Sequence, residues 1–453
     1  MVGMEMASIT PVQILAILVL MGSPAARPDP LVNRSFTLSQ GGEAVATITA
    51  GCAACDWAIE GREAAVLSIA VDGAYSQHLL LTRGAAPVEY RIMLGALAAG
   101  THRLSIERDV ERSAKGAGDV TFGPIDVHVF PPDAPEYAWL SRAPILRARP
   151  GTVEHFSDAP LVMYAEKNVP GESGAHYQVQ YTVIFTNEDG GTPTDRLMAT
   201  WGRTTDIEFI YGLTDATPSA PGHEEIQAAG HKWIPFQGPR IGAHPMVWVA
   251  TDNNMVADHG PEEMVRYAPA PELASLDHTS REFVMDRNPW MYAVSSAEMV
   301  REHKTDPLAT PGSGHIVDPR RYVTVEACGK VKDATLALDI GLRRAGRGSE
   351  IEWLPTDTDR RFRIARGGCF RGGAPMPEGV TLNDVAGLRI RAYPRALREG
   401  ETTPPAGSVV LESVNKVFML DKSFVPSVAP ITWTGSLMVP TTGVATAIPI
   451  SRQ

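Results

Sequence analysis

Two acidic residues, Asp206 and Glu208, are the leading candidates for chemistry in this chain, and they lie in the segment GRTTDIEFIYGL. If residues 201–211 form a strand, alternate side chains share a face, so the two carboxylates point the same way, about 6–7 Å apart along the backbone. The apolar residues of the segment then occupy the opposite face: Ile207, Phe209 and Tyr211. Two carboxylates this close repel each other unless a positive charge neutralises them.

Two kinds of positive charge fit that role. Arg203 stands three residues before Asp206 and can pair with it. A divalent cation is the other option, because Ca²⁺, Mg²⁺ and Mn²⁺ all prefer oxygen ligands. The sequence leaves both options open, beside the plain alternative of a solvated strand face with one ion pair.

Polar residues at the ends of two further predicted strands extend the candidate site. One group follows the segment YQVQYTVIF, and the other follows MVWVAT. If those strands are neighbours, their loops gather ligands at one rim of a sheet, which is where function usually lies. The candidate metal ligands are Asp206, Glu208, His244 and Asp252. The other candidate binding residues are Asn187, Asp189, Arg203, Asn253 and Asn254, and His259 is the candidate base.

Four segments of this region resemble known families: APILRARPGTVEHF, YQVQYTVIFTNEDGG, GRTTDIEFIYGL and AHPMVWVATDNNMV. Together they are similar, over residues 140–260, to the secreted vacuolar protein sorting-associated protein 62 family. The Asp-x-Glu strand also resembles the His-Asp-Trp-Glu segment of the necrosis- and ethylene-inducing-like proteins, which binds a divalent cation on a β-sandwich. The resemblance implies that Asp206 and Glu208 are cation ligands and that residues 244–251 form a neighbouring strand.

The chain departs from these family patterns at several positions. Ile207 stands where the families have a tryptophan. Thr204 and Thr205 occupy the positions of their basic or histidine residues, and residues 253–254 replace a Ser-His pair. The first family has no settled activity, so the resemblance implies a fold and a site position rather than a reaction.

The elements that must position these residues are mostly strands. Residues 30–132 contain short alternating apolar and polar runs separated by turn residues, which predicts an antiparallel sandwich module. A stiff linker, PPDAP, follows this module. Residues 136–304 are predicted to form a central β-sandwich, and residues 320–453 a third β-rich domain. Alternation along the segment YQVQYTVIF places Gln178, Gln180 and Thr182 on one face of a strand. A single helical turn is predicted at 195–200, short helices at 261–267 and 295–303, and an irregular loop region over 214–243. The predicted fold class is therefore mostly β, with several domains.

Two other groups of residues have an alternative functional interpretation. The first group, in the first module, has two interpretations: a sugar-binding face, or edge and core residues of a structural domain. Its members are Trp57, Tyr75, Gln77 and His78. The second group is a cluster of arginines in the third domain, which indicates either a solvated strand face or an anion site. Its members are Arg360, Arg361, Arg363, Arg366 and Arg371.

Composition and cysteine spacing restrict the class of protein. The formal net charge of −11 argues against a general nucleic-acid binder, which needs a basic face. The short apolar run at 9–21, followed by small residues, predicts a signal peptide over residues 1–26 and export to the periplasm or beyond. No later segment is long and apolar enough to span a bilayer. Export predicts the disulfides Cys52–Cys55 and Cys328–Cys369, with zinc or redox chemistry at the first pair as the alternative.

Several enzyme classes lack their motifs, since the sequence has no G-x-S-x-G, no Walker motif and no H-E-x-x-H. The first hypothesis is a secreted protein that binds a glycan or glycoconjugate at an acidic, cation-loaded rim of the central domain. The second is a metal-assisted hydrolase or lyase that acts on extracellular polysaccharide or a phosphoester. The third is a structural cell-envelope protein without a site.

Overall fold

The computed structural model describes residues 29–170, 176–214, 222–343 and 350–452, and within them the protein is mostly β, which confirms the predicted fold class. Each sheet draws its strands from one of three regions of the chain, and these regions follow one another in sequence. The predicted signal segment, residues 1–26, lies outside the described ranges. Within those ranges no helix has the length and apolar character needed to cross a membrane.

The first region is a sandwich of a four-stranded sheet, ordered β1-β6-β3-β4, and a three-stranded sheet, ordered β5-β2-β7. Its strands are β1 (Val32–Leu38), β2 (Gly42–Cys52), β3 (Val66–Val71), β4 (Ala74–Leu80), β5 (Val88–Leu97), β6 (Gly100–Arg108) and β7 (Val120–Phe130). Alternate apolar residues of both sheets fill the space between them, among them Ile48, Leu67 and Ile106, which are fully buried.

The central region packs a six-stranded sheet, ordered β13-β12-β11-β10-β9-β18, against a smaller sheet, ordered β14-β15-β8-β17, with β16 paired to β15. Its strands are β8 (Ile145–Arg147), β9 (Pro160–Pro170), β10 (His176–Phe185), β11 (Asp206–Thr214), β12 (Glu224–Ala228), β13 (Lys232–Pro235), β14 (Arg240–Ile241), β15 (His244–Val249), β16 (Val256–Ala257), β17 (Arg266–Tyr267) and β18 (Glu272–Leu273). Its helices are α1 (Tyr137–Leu140), α2 (Thr152–His155), α3 (Thr194–Trp201), α4 (Phe283–Arg287) and α5 (Trp290–Arg301). The helix expected over residues 261–267 is wrong, because its last two residues form β17 on β8.

The third region is another sandwich, with sheets ordered β22-β19-β24-β26-β28 and β21-β20-β23-β27, and with β25 paired to β24. Its strands are β19 (Tyr322–Lys332), β20 (Ala334–Leu342), β21 (Glu352–Pro355), β22 (Gly368–Pro375), β23 (Val385–Pro394), β24 (Ser408–Leu420), β25 (Pro426–Ala429), β26 (Ile431–Val439), β27 (Thr446–Ile448) and β28 (Ser451–Arg452). Both predicted disulfides are confirmed: Cys52–Cys55 follows β2, and Cys328–Cys369 joins β19 to β22.

The first and central regions share one hydrophobic core, in which Val45 and Trp57 pack with residues of the central sheets. The residues after β17 link the two regions further, because the N–H groups of Met93 and Ala270 donate to carbonyl oxygens across the boundary at 2.8 and 3.0 Å. The chain then continues into β18, which pairs with β9. One short segment therefore pairs in turn with three different sheets.

The residues that suggested a sugar-binding face in the first module belong to this boundary. Trp57 is 3% exposed and donates its indole N–H to Glu298 at 2.8 Å. Gln77 is 1% exposed and bonds the backbone on both sides of the boundary, at Met93 and Ala268. Buried groups with these partners cannot stack on a sugar ring. The structural interpretation fits Trp57 and Gln77. Tyr75 is more exposed, and the guanidinium of Arg266 lies over its ring, 4.3 Å from the centroid.

The arginines of the third region do not form one solvated strand face. Arg371 is fully buried and binds Glu326 at 2.8 Å and the hydroxyl of Tyr292 at 2.8 Å. Its guanidinium also pairs with Asp286, so it joins the third region to the central one. A buried arginine with these partners is a structural ion-pair centre rather than an anion site.

Candidate functional site

A cavity of about 530 Å³ lies on one face of the six-stranded sheet, and we call it the acid pocket. Four carboxyl groups line it: Glu166, Glu188, Asp206 and Glu208. Three guanidinium groups are also present: Arg196, Arg203 and Arg281. Aromatic rings complete the wall: Tyr164, Trp201, Phe209 and Trp233. The volume is in the range of small-molecule sites in proteins.

The floor of the acid pocket is the polar face of β10 and its neighbours. Gln180 and Thr182 alternate with buried residues along β10, as the sequence predicts. Gln180 lies opposite Glu166 of β9 in the sheet register and donates to its carboxylate at 3.3 Å. Thr182 lies opposite Tyr164. Side chains of two paired strands therefore enter the same cavity.

The acidic motif begins its strand later than the sequence suggests. The prediction of a strand over residues 201–211 is wrong at its start, because α3 extends to Trp201 and β11 begins at Asp206. Gly202 ends the helix in the left-handed conformation, with φ at 63°, which glycine adopts without a steric penalty. The turn that follows places Arg203 in the pocket wall beside the carboxylates.

A β-bulge changes the predicted faces of β11. The register against β10 shifts between Tyr181 and Thr182, so that Tyr211 and Phe209 no longer share a face. Tyr211 packs in the main core against Tyr181, with ring centroids 6.0 Å apart. Phe209 instead contacts Trp233 at 4.4 Å in the pocket wall. The sequence alternation could not show this insertion.

Asp206 is the most buried carboxyl group of the acid pocket, with 1% of its surface exposed. It accepts hydrogen bonds from the backbone N–H of Ile207 at 2.9 Å and from Nδ2 of Asn254 at 3.0 Å. Burial raises the pKa of Asp206, and the charge of Arg203 opposes that rise.

The other pocket carboxyls are shifted in the same direction. Burial and the charge of Asp206 raise the pKa of Glu208 well above its usual range. The same two causes raise the pKa of Glu188 to about 7. Burial raises the pKa of Glu166 to about 7 as well. Protonated and ionised carboxyl groups therefore coexist in one cavity near neutral pH.

Arg203 supplies the positive charge for which the sequence left two options. Its charge favours the ionised forms of Asp206 and Glu208. Its Nε also donates to Glu282 at 3.1 Å, and both of these side chains are almost fully buried. A guanidinium fixed from behind by a carboxylate holds its position in the pocket wall.

The two strand-end loops meet beside the acid pocket, but β10 and β15 lie in different sheets and are not the neighbouring strands that the sequence and the resemblance led us to expect. Nδ2 of Asn254 bridges Asp206 and the carbonyl oxygen of Asn187, at 3.0 and 3.1 Å. Asn253 lines the cavity itself. The side chain of Asn187 is fully buried, and neither of its polar atoms has a hydrogen-bond partner among the described residues.

Arg149 holds the outer part of these loops together, and sequence reasoning missed it. Its guanidinium binds Asp158 at 2.7 Å and Asp252 at 2.9 Å, and it pairs with Asp189 too. The carboxylates of Asp189 and Asp252 are thus neutralised by an arginine and do not line the acid pocket. Asp252 is not placed as a metal ligand beside Asp206.

Both candidate histidines lie outside the acid pocket. His244 is 3% exposed, and its ring bonds the carbonyl oxygen of Ala143 at 2.8 Å and the carboxylate of Glu43 at 3.0 Å. His259 is largely exposed and contacts only its neighbour Asp258 among the described residues, at 2.9 Å. His244 is therefore a structural partner of the first module rather than a metal ligand, and His259 does not reach the pocket as a base.

The four candidate metal ligands, Asp206, Glu208, His244 and Asp252, are not brought together. Both oxygens of Asp206 already accept hydrogen bonds, and the two ligands expected from distant segments lie elsewhere. In the described ranges no group of three or more His, Cys, Asp or Glu side chains is arranged to hold a metal ion. A divalent cation stays a prediction from the sequence, and no function derived below requires one.

Several pocket residues had only a weak signal in the sequence. Trp233 and Gln227 face each other in the register of β12 and β13, two short strands in a Gly-, Pro- and His-rich stretch predicted as irregular. Arg281 comes from the loop before α4 and donates to the carbonyl oxygen of Ile207 at 3.1 Å. Only tertiary contacts bring these residues to the carboxyl groups.

Comparison with known proteins does not show a family for this chain. No family model matches it, and no curated protein matches its sequence. Among solved structures it is similar to the C-terminal domain of EclA, described as a sugar-binding protein, with 20% identity over 22% of this chain and 67% of that chain and a TM-score of 0.17. A TM-score this low carries no argument about fold or ligand. The resemblance of residues 140–260 to the two families above stays a prediction.

Proposed function

We propose that the protein binds a saccharide, as part of an extracellular glycan or glycoconjugate, in the acid pocket. The observation that carries the proposal is the composition of that cavity, where clustered carboxyl groups and amides face partly exposed tryptophan rings. The two disulfides fit an oxidising compartment outside the cytoplasm.

The pocket offers both kinds of contact that a sugar needs. The ring of Trp233, supported from behind by Phe209, presents a flat apolar surface for the C–H face of a sugar ring. Carboxylate oxygens of Glu166 and Glu188 accept hydrogen bonds from hydroxyl groups, and the amide of Gln180 can both donate and accept. Because three guanidinium groups stand beside the four carboxyl groups of the cavity, and the raised pKa values leave part of these carboxyls protonated, we expect a neutral sugar.

The direct test is a glycan array followed by calorimetric titration of the oligosaccharides that bind. Trp233→Ala should weaken binding about 10- to 100-fold, since it removes a stacking surface of the order of 1–3 kcal/mol. Trp433→Ala is the matched control, because Trp433 is a partly exposed tryptophan of the third region, away from the pocket. Equal effects of the two substitutions, or binding to uronic acids alone, would contradict the proposal.

A second candidate function is acid-catalysed cleavage of the bound glycan. It is favoured by Glu188, whose pKa of about 7 leaves a protonated carboxyl group at neutral pH close to the ionisable Asp206. Such a pair has the acid and the carboxylate that glycoside hydrolysis uses. This candidate relies on carboxyl groups alone, without the metal of the original hydrolase hypothesis.

Release of reducing ends from the best-binding oligosaccharide, measured between pH 5 and 9, tests this candidate. Activity should fall above pH 7 as Glu188 loses its proton. Glu188→Gln should lower kcat by at least about 100-fold with little change in affinity. Tight binding without any release at any pH would leave the protein a binder only.

A further inference from the structure

A second cavity lies between the first region and the central region, and we call it the interdomain cleft. Its volume is about 450 Å³. One wall comes from the first sandwich and contains Leu80, Tyr90 and Ile92. The other comes from the central region and contains Leu161, Val162 and Trp290. Most of the lining is therefore hydrophobic, as in sites for small organic ligands.

The interdomain cleft is preformed by hydrogen bonds that cross it. The backbone N–H of Met93 donates to Ala268 at 2.8 Å, and that of Ala270 donates to Arg91 at 3.0 Å. The buried amide of Gln77 binds the backbone on both sides. A ligand entering the cleft would therefore meet walls that are already fixed, which lowers the entropic cost of binding.

Arg83 is a half-buried charged group of the cleft without an ion-pair partner among the described residues. The guanidinium of Arg83 is half-buried and lies over the ring of Trp290, 4.4 Å from its centroid. Its single hydrogen bond in the described structure goes to the carbonyl oxygen of Glu89 at 3.3 Å, and no carboxylate there forms an ion pair with it. Burial lowers the pKa of Arg83, against the weaker opposite effects of Tyr90 and Glu89.

Two further ionisable groups of the cleft are engaged, whereas Glu89 and Arg91 line it at exposed positions. Glu272 accepts from Asn288 at 3.1 Å and pairs with Arg287 at 3.9 Å. His78 contacts Asp109 at 3.1 Å. Arg83 is therefore a half-buried cation in the cleft wall with one hydrogen bond in the described ranges for its five donors, and such a group favours an anion with matching geometry.

We propose that the interdomain cleft is a second ligand site, for a carboxylic acid with an apolar body, and that Arg83 binds its carboxylate. The alkyl or aryl body of the acid occupies the space between Leu161, Ile92 and Trp290. The site is independent of the acid pocket, because the two cavities share no lining residue.

Isothermal titration with decanoate and with 1-decanol, which have the same chain and differ in charge, tests this site. Decanoate should bind at least about tenfold more tightly than decanol, as expected for a charge-assisted hydrogen bond in a partly desolvated site. Arg83→Met should lower the affinity for decanoate about 10- to 100-fold and leave that for decanol within about twofold. Arg103→Met removes an exposed charge of the same sandwich and should change neither affinity.

Leu161→Trp provides a second variant, which fills the cleft and keeps Arg83. It should weaken the binding of decanoate and decanol alike. Equal affinity for the two ligands in the unmodified protein would overturn the proposal, as would no binding of decanoate at millimolar concentration. An equal loss for both ligands in Arg83→Met would also overturn it, because the arginine would then act on the fold alone.

Discussion

The carboxyl groups of the acid pocket make folding stability depend on pH. The pKa of Glu188 is about 7 in the folded protein, against an ordinary value of 4.5, because of burial and the charge of Asp206. The folded state therefore binds the proton more tightly than the unfolded state between these two values. Stability from this group is present at low pH and is lost as the pH rises from about 4.5 to above 7.

Glu188→Gln should remove this dependence, because glutamine keeps the hydrogen-bond acceptor and carries no charge. The variant should match the unmodified protein near pH 4.5 and exceed its stability by about 1–3 kcal/mol at pH 8. Urea unfolding at several pH values measures the difference. Glu111→Gln, at an exposed position, is the control and should give a constant difference. A benefit of Glu188→Gln that is the same at both pH values would contradict the assignment.

Single residues also mark what the sequence could and could not predict. Asp206 and Glu208 were expected on one face of a strand, and both side chains do line one cavity. The reason is that side chains two residues apart in a strand point to the same face. Arg149 and Glu43 were not expected as the partners of Asp252 and His244. The two residues of each pair are at least a hundred positions apart in the chain, so no local sequence pattern predicts their contact.

At the scale of elements, the two disulfides should contribute unequally to stability. Cys328 and Cys369 are 41 residues apart and enclose β20 and β21, whereas Cys52 and Cys55 are three apart. A longer closed loop restricts the unfolded chain more strongly.

Replacing Cys328 and Cys369 by serine should therefore cost about 4 kcal/mol, and replacing Cys52 and Cys55 about 2 kcal/mol. Urea unfolding of the two double variants, each compared with the unmodified protein, checks the order. A larger loss from the Cys52–Cys55 pair would contradict the loop argument.

Strand alternation predicted the elements better than their ends. The polar face of β10, with Gln180 and Thr182, was read correctly and became the pocket floor. The bulge in β11 was not predicted, because an extra residue in one strand can be recognised only from its pairing with the neighbouring strand. The helix α3 was expected as a single turn and extends over Thr194–Trp201. Its packing against β22 is a tertiary contact that local propensity does not include.

At the scale of the whole molecule, the pairing of His244 with Glu43 joins the first sandwich to the central region. Both side chains are almost fully buried, and their nitrogen and oxygen atoms are 3.0 Å apart. His244→Ala leaves an uncompensated buried carboxylate, so it should destabilise the protein by about 3–5 kcal/mol.

Thermal and urea unfolding measure this loss, with His259→Ala as the exposed control, expected within about 0.5 kcal/mol. Adding Glu43→Gln to His244→Ala should recover part of the stability, because the unpaired charge is then gone. Saccharide binding by the folded His244→Ala variant should stay unchanged. A selective loss of saccharide binding in that variant would show that His244 contributes to the binding site, and would contradict its structural role.

The segment from Arg266 to Leu273, which pairs with three sheets in succession, limits how this protein can be rebuilt. A chimaera that exchanges residues 30–132 for an unrelated module would leave residues 268–270 without a partner for their backbone groups. Such an open edge invites association with other chains. A usable graft must carry β5 along with its complement, so the natural unit of exchange includes both the sandwich and the strip of central chain that completes it.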